Sequence, residues 1–115
     1  MRSLRTSDLF NAGRMIFKIG VRKEIEEVVR RAEETKANKT KIDLSFDLFF
    51  GILEKAMQKN AEKEIYIFIA DIFECDWEEV RDMDPIELFD KLEQVADFEK
   101  WKSFFKRAAR LTQMK

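Results

Sequence analysis

Apolar residues recur at spacings of three and four along almost the whole of this 115-residue chain, and that period commits it to helices. Leu9, Ala12, Ile16 and Ile19 follow Ser7, which reads as an N-cap, and Gly20 is placed to stop the segment. Val21, Ile25, Val28, Val29 and Ala32 then fall within a sector of about 100° at 3.6 residues per turn. The other faces of that segment are charged, with Glu26–Arg30 and Glu27–Arg31 in the favourable i,i+4 order. It reads as a surface helix with one side down.

From Thr35 to Lys41 the apolar period is lost, which predicts an exposed, mobile connection. Asp43 or Ser45 opens a third helix, with Phe46, Phe49, Phe50, Leu53, Ala56 and Met57 on one face, widened by Leu48 and Ile52. Asn60 reads as the cap of a fourth helix, Ala61 to Phe73. There Ile65-Tyr66-Ile67-Phe68-Ile69 is β-branched and aromatic enough to pass for a buried strand. The charged first turn Glu62-Lys63-Glu64 and the lack of a partner strand favour helix, apolar nearly all round and hence central to the fold or turned to a partner.

Asp76-Trp77-Glu78-Glu79 and Asp84-Pro85-Ile86-Glu87 each place Asp at the cap and Glu at N3, the second with Pro at N1, and predict two short helices in series. Asp97 caps the last helix, whose Phe98, Trp101, Phe104, Phe105, Ala108 and Leu111 form a broad apolar face. Lys102, Lys106 and Arg110 run along another side. The expected fold is all-α, one compact domain over residues 1–115 with four longer helices plus two short ones. Trp101 and Phe105, one turn apart, pack against the fourth helix or hold a partner, and with Lys102, Lys106 and Arg110 they are the candidate partner-binding residues.

Function classes are narrowed by what the chain lacks. It contains no histidine and one cysteine, so the usual means of acid–base catalysis, nucleophilic catalysis and zinc binding near neutral pH are missing. No enzyme activity and no cofactor are expected. The carboxylates Glu74, Asp76, Glu78 and Glu79 could serve a carboxylate enzyme, but no glycine-rich loop or metal-ligand spacing accompanies them, and they are more economically a cap and its first turn. Cys75 sits among acids that disfavour its thiolate, which reads as a structural thiol. No run approaches the roughly 20 apolar residues of a membrane span, and the basic start is not followed by an apolar stretch of secretory length, so a soluble, unsecreted protein is expected.

The formal net charge of −1 conceals segregation. Residues 1–41 hold eleven Lys/Arg against six Asp/Glu, residues 42–100 six against seventeen, and residues 101–115 five against none. Mutual attraction between segments is one reading; surfaces that steer charged partners are the other. A nucleic-acid-binding helical module would use the basic ends for phosphate contacts. The sequence pI of about 5.7, the acidic middle and the lack of a helix-turn-helix signature count against it.

Particular stretches resemble a known family. Ser7-Asp8-Leu9-Phe10 leads into two helices, a Phe-rich third helix follows, and Asn60-Ala61-Glu62-Lys63-Glu64-Ile65-Tyr66 enters an apolar helix. Asp84-Pro85-Ile86-Glu87-Leu88-Phe89 makes a turn, and Asp97-Phe98, Trp101 and Phe104-Phe105-Lys106 make the ending. Their order and flavour, over about Ser7 to Leu111, resemble the tail assembly chaperones of siphophages infecting Gram-positive bacteria. The resemblance implies a protein of the host bacterial cytoplasm that escorts the tape-measure protein, recruits tail-tube subunits and is absent from the mature virion. It also implies possible self-association and, in some members, a longer frameshifted form. Apolar docking faces with charged rims suit that task, and eleven Phe and five Met are compatible with them.

Overall fold

Short-range chemistry sets where each helix starts and stops. The computed structural model describes residues 3–34 and 40–112. Within them lie seven helices and no strand: α1 (Thr6–Ile19), α2 (Arg22–Glu34), α3 (Lys41–Gln58), α4 (Glu62–Phe73), α5 (Trp77–Asp82), α6 (Pro85–Val95) and α7 (Phe98–Leu111). The all-α expectation holds, and Gly20 separates α1 from α2 as read; seven helices stand where four longer and two short were expected, and α6 is 11 residues long, so that only α5, at six residues, is short. The segment Ile65–Ile69 is helical.

Three helices end through a residue in the left-handed region, with the next N–H reaching back across the last turn. Gly20 (φ 78°) is followed by Val21 N–H donating to Ile16 O, Asn60 (φ 55°) by Ala61 N–H to Ala56 O, and Glu74 (φ 60°) by Cys75 N–H to Ala70 O. Asn60 therefore terminates α3 instead of capping α4, whose N-cap is Ala61. Two other expected starts move. α1 begins after Arg5, whose N–H donates to the buried Asp8 carboxylate at 2.8 Å, and Ser7 lies inside the helix. α3 begins after Thr40, whose hydroxyl accepts from Asp43 N–H, so Thr40 and Lys41 belong to a helix start and not to the connection. Residues 35–39 of that connection lie outside the described residues. The Asp84 and Asp97 caps are as read: Asp84 accepts from Ile86 and Glu87 N–H, and Asp97 from Lys100 N–H at 2.9 Å.

The core gathers around α7, which packs on α1, α2 and α3, while α4 packs on α1, α3 and α5. The α2 stripe is buried as read, from Val21 to Ala32. Glu27 pairs with Arg31, but Glu26 pairs with Arg22 and Arg30 with Glu34. Two glycines permit close approaches: a Cβ on Gly51 would lie 2.9 Å from Val28 Cγ1, and one on Gly13 3.3 Å from Leu111 Cδ1. The result is one globule of radius of gyration 13.1 Å. Among the described residues no helix is long and apolar enough to cross a membrane.

Candidate interaction surfaces

The last helix divides its residues differently from the sequence expectation. Trp101 and Phe105 are 0% and 1% exposed and form the aromatic centre of the core, which corrects their reading as a partner-binding pair. Phe49 of α3 meets both edge-on, at centroid distances of 4.8 Å to Trp101 and 5.5 Å to Phe105, and Phe105 reaches Phe68 of α4 at 6.3 Å. The indole N–H of Trp101 donates to Leu92 O at 2.8 Å, so the ring is fully desolvated with its polar atom satisfied. No partner reaches either ring without unpacking the domain.

Lys102 is not a free rim charge either. Its ammonium lies 2.9 Å from Glu99 and 3.2 Å from Glu33 on α2 and sits over the Phe98 ring, with the side chain 13% exposed. The hydrogen bond to Glu99, reinforced by Glu33, raises its pKa above the ordinary lysine value although burial works against the charge. Lys106 and Arg110 are exposed, as is Arg107, and none of the three makes an ion pair among the described residues. Lys18 joins α1 to Glu64 of α4 at 3.2 Å. Attraction between segments thus accounts for part of the charge segregation and leaves the end of α7 uncompensated.

Among the described residues, exposed phenylalanines gather on two faces. The first is an open groove of about 880 Å3 between α1 and the end of α7. Phe10, Gly13 and Phe17 line one wall and Leu111 and Thr112 the other, while Arg14 and Lys18 add positive charge and, among the described residues, no acid lines it. Phe17 is 74% exposed and Phe10 48%. Gly13 lets Leu111 close against α1, which sets the groove floor. Sequence reading passed over Phe10 and Phe17 because they lie off the Leu9–Ile19 stripe. Their spacing of seven on the otherwise polar side was the available signal.

The second face lies on α3. The sequence reading put Phe46, Phe49, Phe50, Leu53, Ala56 and Met57 on one face, but the structure splits them: Phe46, Phe50 and Met57 are exposed, and the buried side carries Leu44, Leu48, Phe49, Ile52 and Ala56. Ser45, on the same side, is buried with its hydroxyl donating to Glu93 of α6 at 2.8 Å. Phe46 stacks on Phe50 at 5.6 Å and tilts onto Phe89 of α6 at 4.5 Å. Phe46, Phe50, Leu53 and Met57 run along α3 at spacings of four, three and four, flanked in the adjoining sector by Asp43, Asp47 and Glu54.

The acidic cluster resolves into helix ends. Glu74 is the left-handed stop of α4, and Asp76 is the N-cap of α5, though its side chain makes no capping bond. Cys75 is half-buried, and burial together with a hydrogen bond to Glu79 raises its thiol pKa. Among the described residues no group of three or more Cys, Asp or Glu side chains is arranged to hold a metal. Fold and surfaces together define a small all-α globule with two exposed aromatic faces of opposite rim charge. No family model, no curated protein and no solved structure matches this chain.

Proposed function

We propose that the protein is a phage tail assembly chaperone, which binds helical segments of a tape-measure protein and helps recruit tail-tube subunits in the host bacterial cytoplasm. The observation that carries this reading is the α1–α7 groove, where Phe10, Phe17 and Leu111 leave an apolar trough in solvent beside Arg14 and Lys18. A trough of that shape suits the apolar stripe of an amphipathic helix, which lays its i, i+3, i+4 and i+7 side chains into such a groove. The resemblance of the helix order to siphophage tail chaperones supplies the identity of the partner. Holding an aggregation-prone helical polypeptide requires exposed apolar area and no reaction centre.

Co-expression with a tape-measure protein followed by pull-down tests the reading. The wild-type chain retains the tape-measure protein in soluble form. Phe17→Asp, at an exposed position, loses at least about tenfold in capture while circular dichroism is unchanged, because a buried unpaired carboxylate would have to enter the interface. Equal capture by the variant moves the docking site away from the groove, and no capture by the wild type refutes the function.

A further inference from the structure

We propose that the α3 face is a second docking surface, which takes an amphipathic helix of another protein whose apolar stripe is flanked by Lys or Arg. Phe46, Phe50, Leu53 and Met57 recur at spacings of four, three and four and cover about 16 Å of α3 at 1.5 Å per residue. Over that length a partner helix presents a stripe of side chains at i, i+3, i+4 and i+7. The described residues form no strand, so they offer no open sheet edge to an extended peptide, and packing of helix on helix is the mode the spacing fits.

Charge selects the occupant. Asp43, Asp47 and Glu54 fill the sector beside the stripe, and Lys55, the one base among the described side chains of α3, lies about 100° round the helix from Glu54. Next to those acids, α2 and α3 leave an open hollow of about 290 Å3, with Val28, Ala32, Phe50 and Gly51 as its apolar lining. Asp47, Glu54 and Glu34 bring three carboxylates to it against a single base, Arg31, which is paired with Glu27. Glu54 makes no ion pair among the described residues. A Lys or Arg side chain suits such a hollow in two parts, its methylenes against the apolar lining and its charge at the carboxylates. A helix flanked by Glu or Asp would set like charges together, and nucleic acid or an anionic lipid surface would be repelled in the same way. The α1–α7 groove shares no lining residue with this surface and has a basic rim, so the two select partners of opposite charge. The inference rests neither on that groove nor on a tape-measure partner.

Fluorescence anisotropy with the purified chain tests it. The probes are labelled helical peptides of about 18 residues: one with a leucine stripe flanked by Lys, its Glu-flanked isomer, and a scrambled Lys peptide with no stripe. Each is titrated into the wild type and into Phe17→Asp, which blocks the groove of the functional proposal and leaves the α3 face alone. The Lys-flanked peptide binds both chains within about twofold. In Phe17→Asp at about 50 mM salt it binds at least about tenfold more tightly than the other two peptides, and about 0.5 M salt weakens it at least about threefold. Adding Asp47→Lys and Glu54→Lys reverses the preference between Lys and Glu flanks. Glu54→Lys alone, at an exposed position, narrows that preference at least about threefold and is read instead if the double substitution unfolds the chain. Phe50→Ala weakens the Lys-flanked peptide at least about fivefold with circular dichroism unchanged. No binding up to about 300 µM overturns the proposal, as does equal affinity for the scrambled peptide. A Lys preference that survives the charge reversal, or is lost in Phe17→Asp, also overturns it. Tape-measure capture is a separate measurement, so either reading can fail without the other.

Discussion

Replacing Trp101 by alanine tests whether the aromatic centre is the main source of this fold's stability. The side chain is 0% exposed and meets Phe49 edge-on at 4.8 Å, Phe104 edge-on at 5.6 Å and Phe105 nearly parallel at 5.8 Å. Truncating a buried Trp costs about 3–5 kcal/mol through lost burial and the cavity left behind, and three ring contacts put this site toward the upper end. Total stability for a domain of this kind is about 5–15 kcal/mol, so the variant forfeits a third of it or more. Phe at the same position separates the terms. It keeps most of the ring area and loses the bond to Leu92 O, which also accepts from Ala96 N–H and is therefore not orphaned, for a cost of about 1–2 kcal/mol. Urea unfolding followed by circular dichroism reads both values, and Trp77, with the Lys63 and Arg81 cations over its ring, remains as the fluorescent reporter. At a slope of about 1.5 kcal/mol per molar, the alanine variant moves the midpoint by about 2–3 M. A loss under about 1 kcal/mol with the fold intact would refute the reasoning, as would equal losses for Ala and Phe.

Lys102→Met costs about 1–2 kcal/mol by removing charge-assisted bonds to Glu99 and Glu33, while Lys106→Glu and Arg110→Glu stay within about 0.5 kcal/mol in the same unfolding assay. Because the folded pKa of Lys102 is raised, its contribution is complete below the ordinary lysine pKa of about 10.4 and fades as pH rises through the folded value, so the Lys102→Met difference shrinks only above that point. Gly51→Ala gains about 1 kcal/mol in helix propensity but drives a methyl into Val28, for a net loss of about 0.5–2 kcal/mol; in a Val28→Ala background the same change stabilises, which thermal unfolding of the double variant checks. Glu74→Gly relieves a left-handed non-glycine stop and raises stability by about 0.5 kcal/mol, read as a small upward shift of the melting temperature.

What could be read in the chain itself is what depends on interactions three to five residues apart. Asp84-Pro85 and Asp97 cap where they were expected to, Gly20 stops α1, the Val21–Ala32 stripe is buried, and Ile65–Ile69 is a helix despite its strand-like composition. These outcomes follow from hydrogen bonds within one turn and from a stripe that only one side of a helix can carry. The stop at Glu74 was harder to see, since nothing about glutamate favours a positive φ and the Cys75 bond back to Ala70 is what holds it there. Burial was harder still. α3 offers apolar residues on two adjoining faces, and packing against α2, α4, α6 and α7 buries Leu48, Phe49 and Ile52 while Phe50 and Met57 stay in solvent. On α7 the same choice turned Trp101 and Phe105 inward and drew Lys102 onto Glu33, 69 residues away. Helix identity and charge segregation were therefore decided by the sequence alone. Which apolar face is core and which is surface was decided only in the folded molecule, because burial depends on which neighbouring helix arrives, and that information is spread over the whole chain.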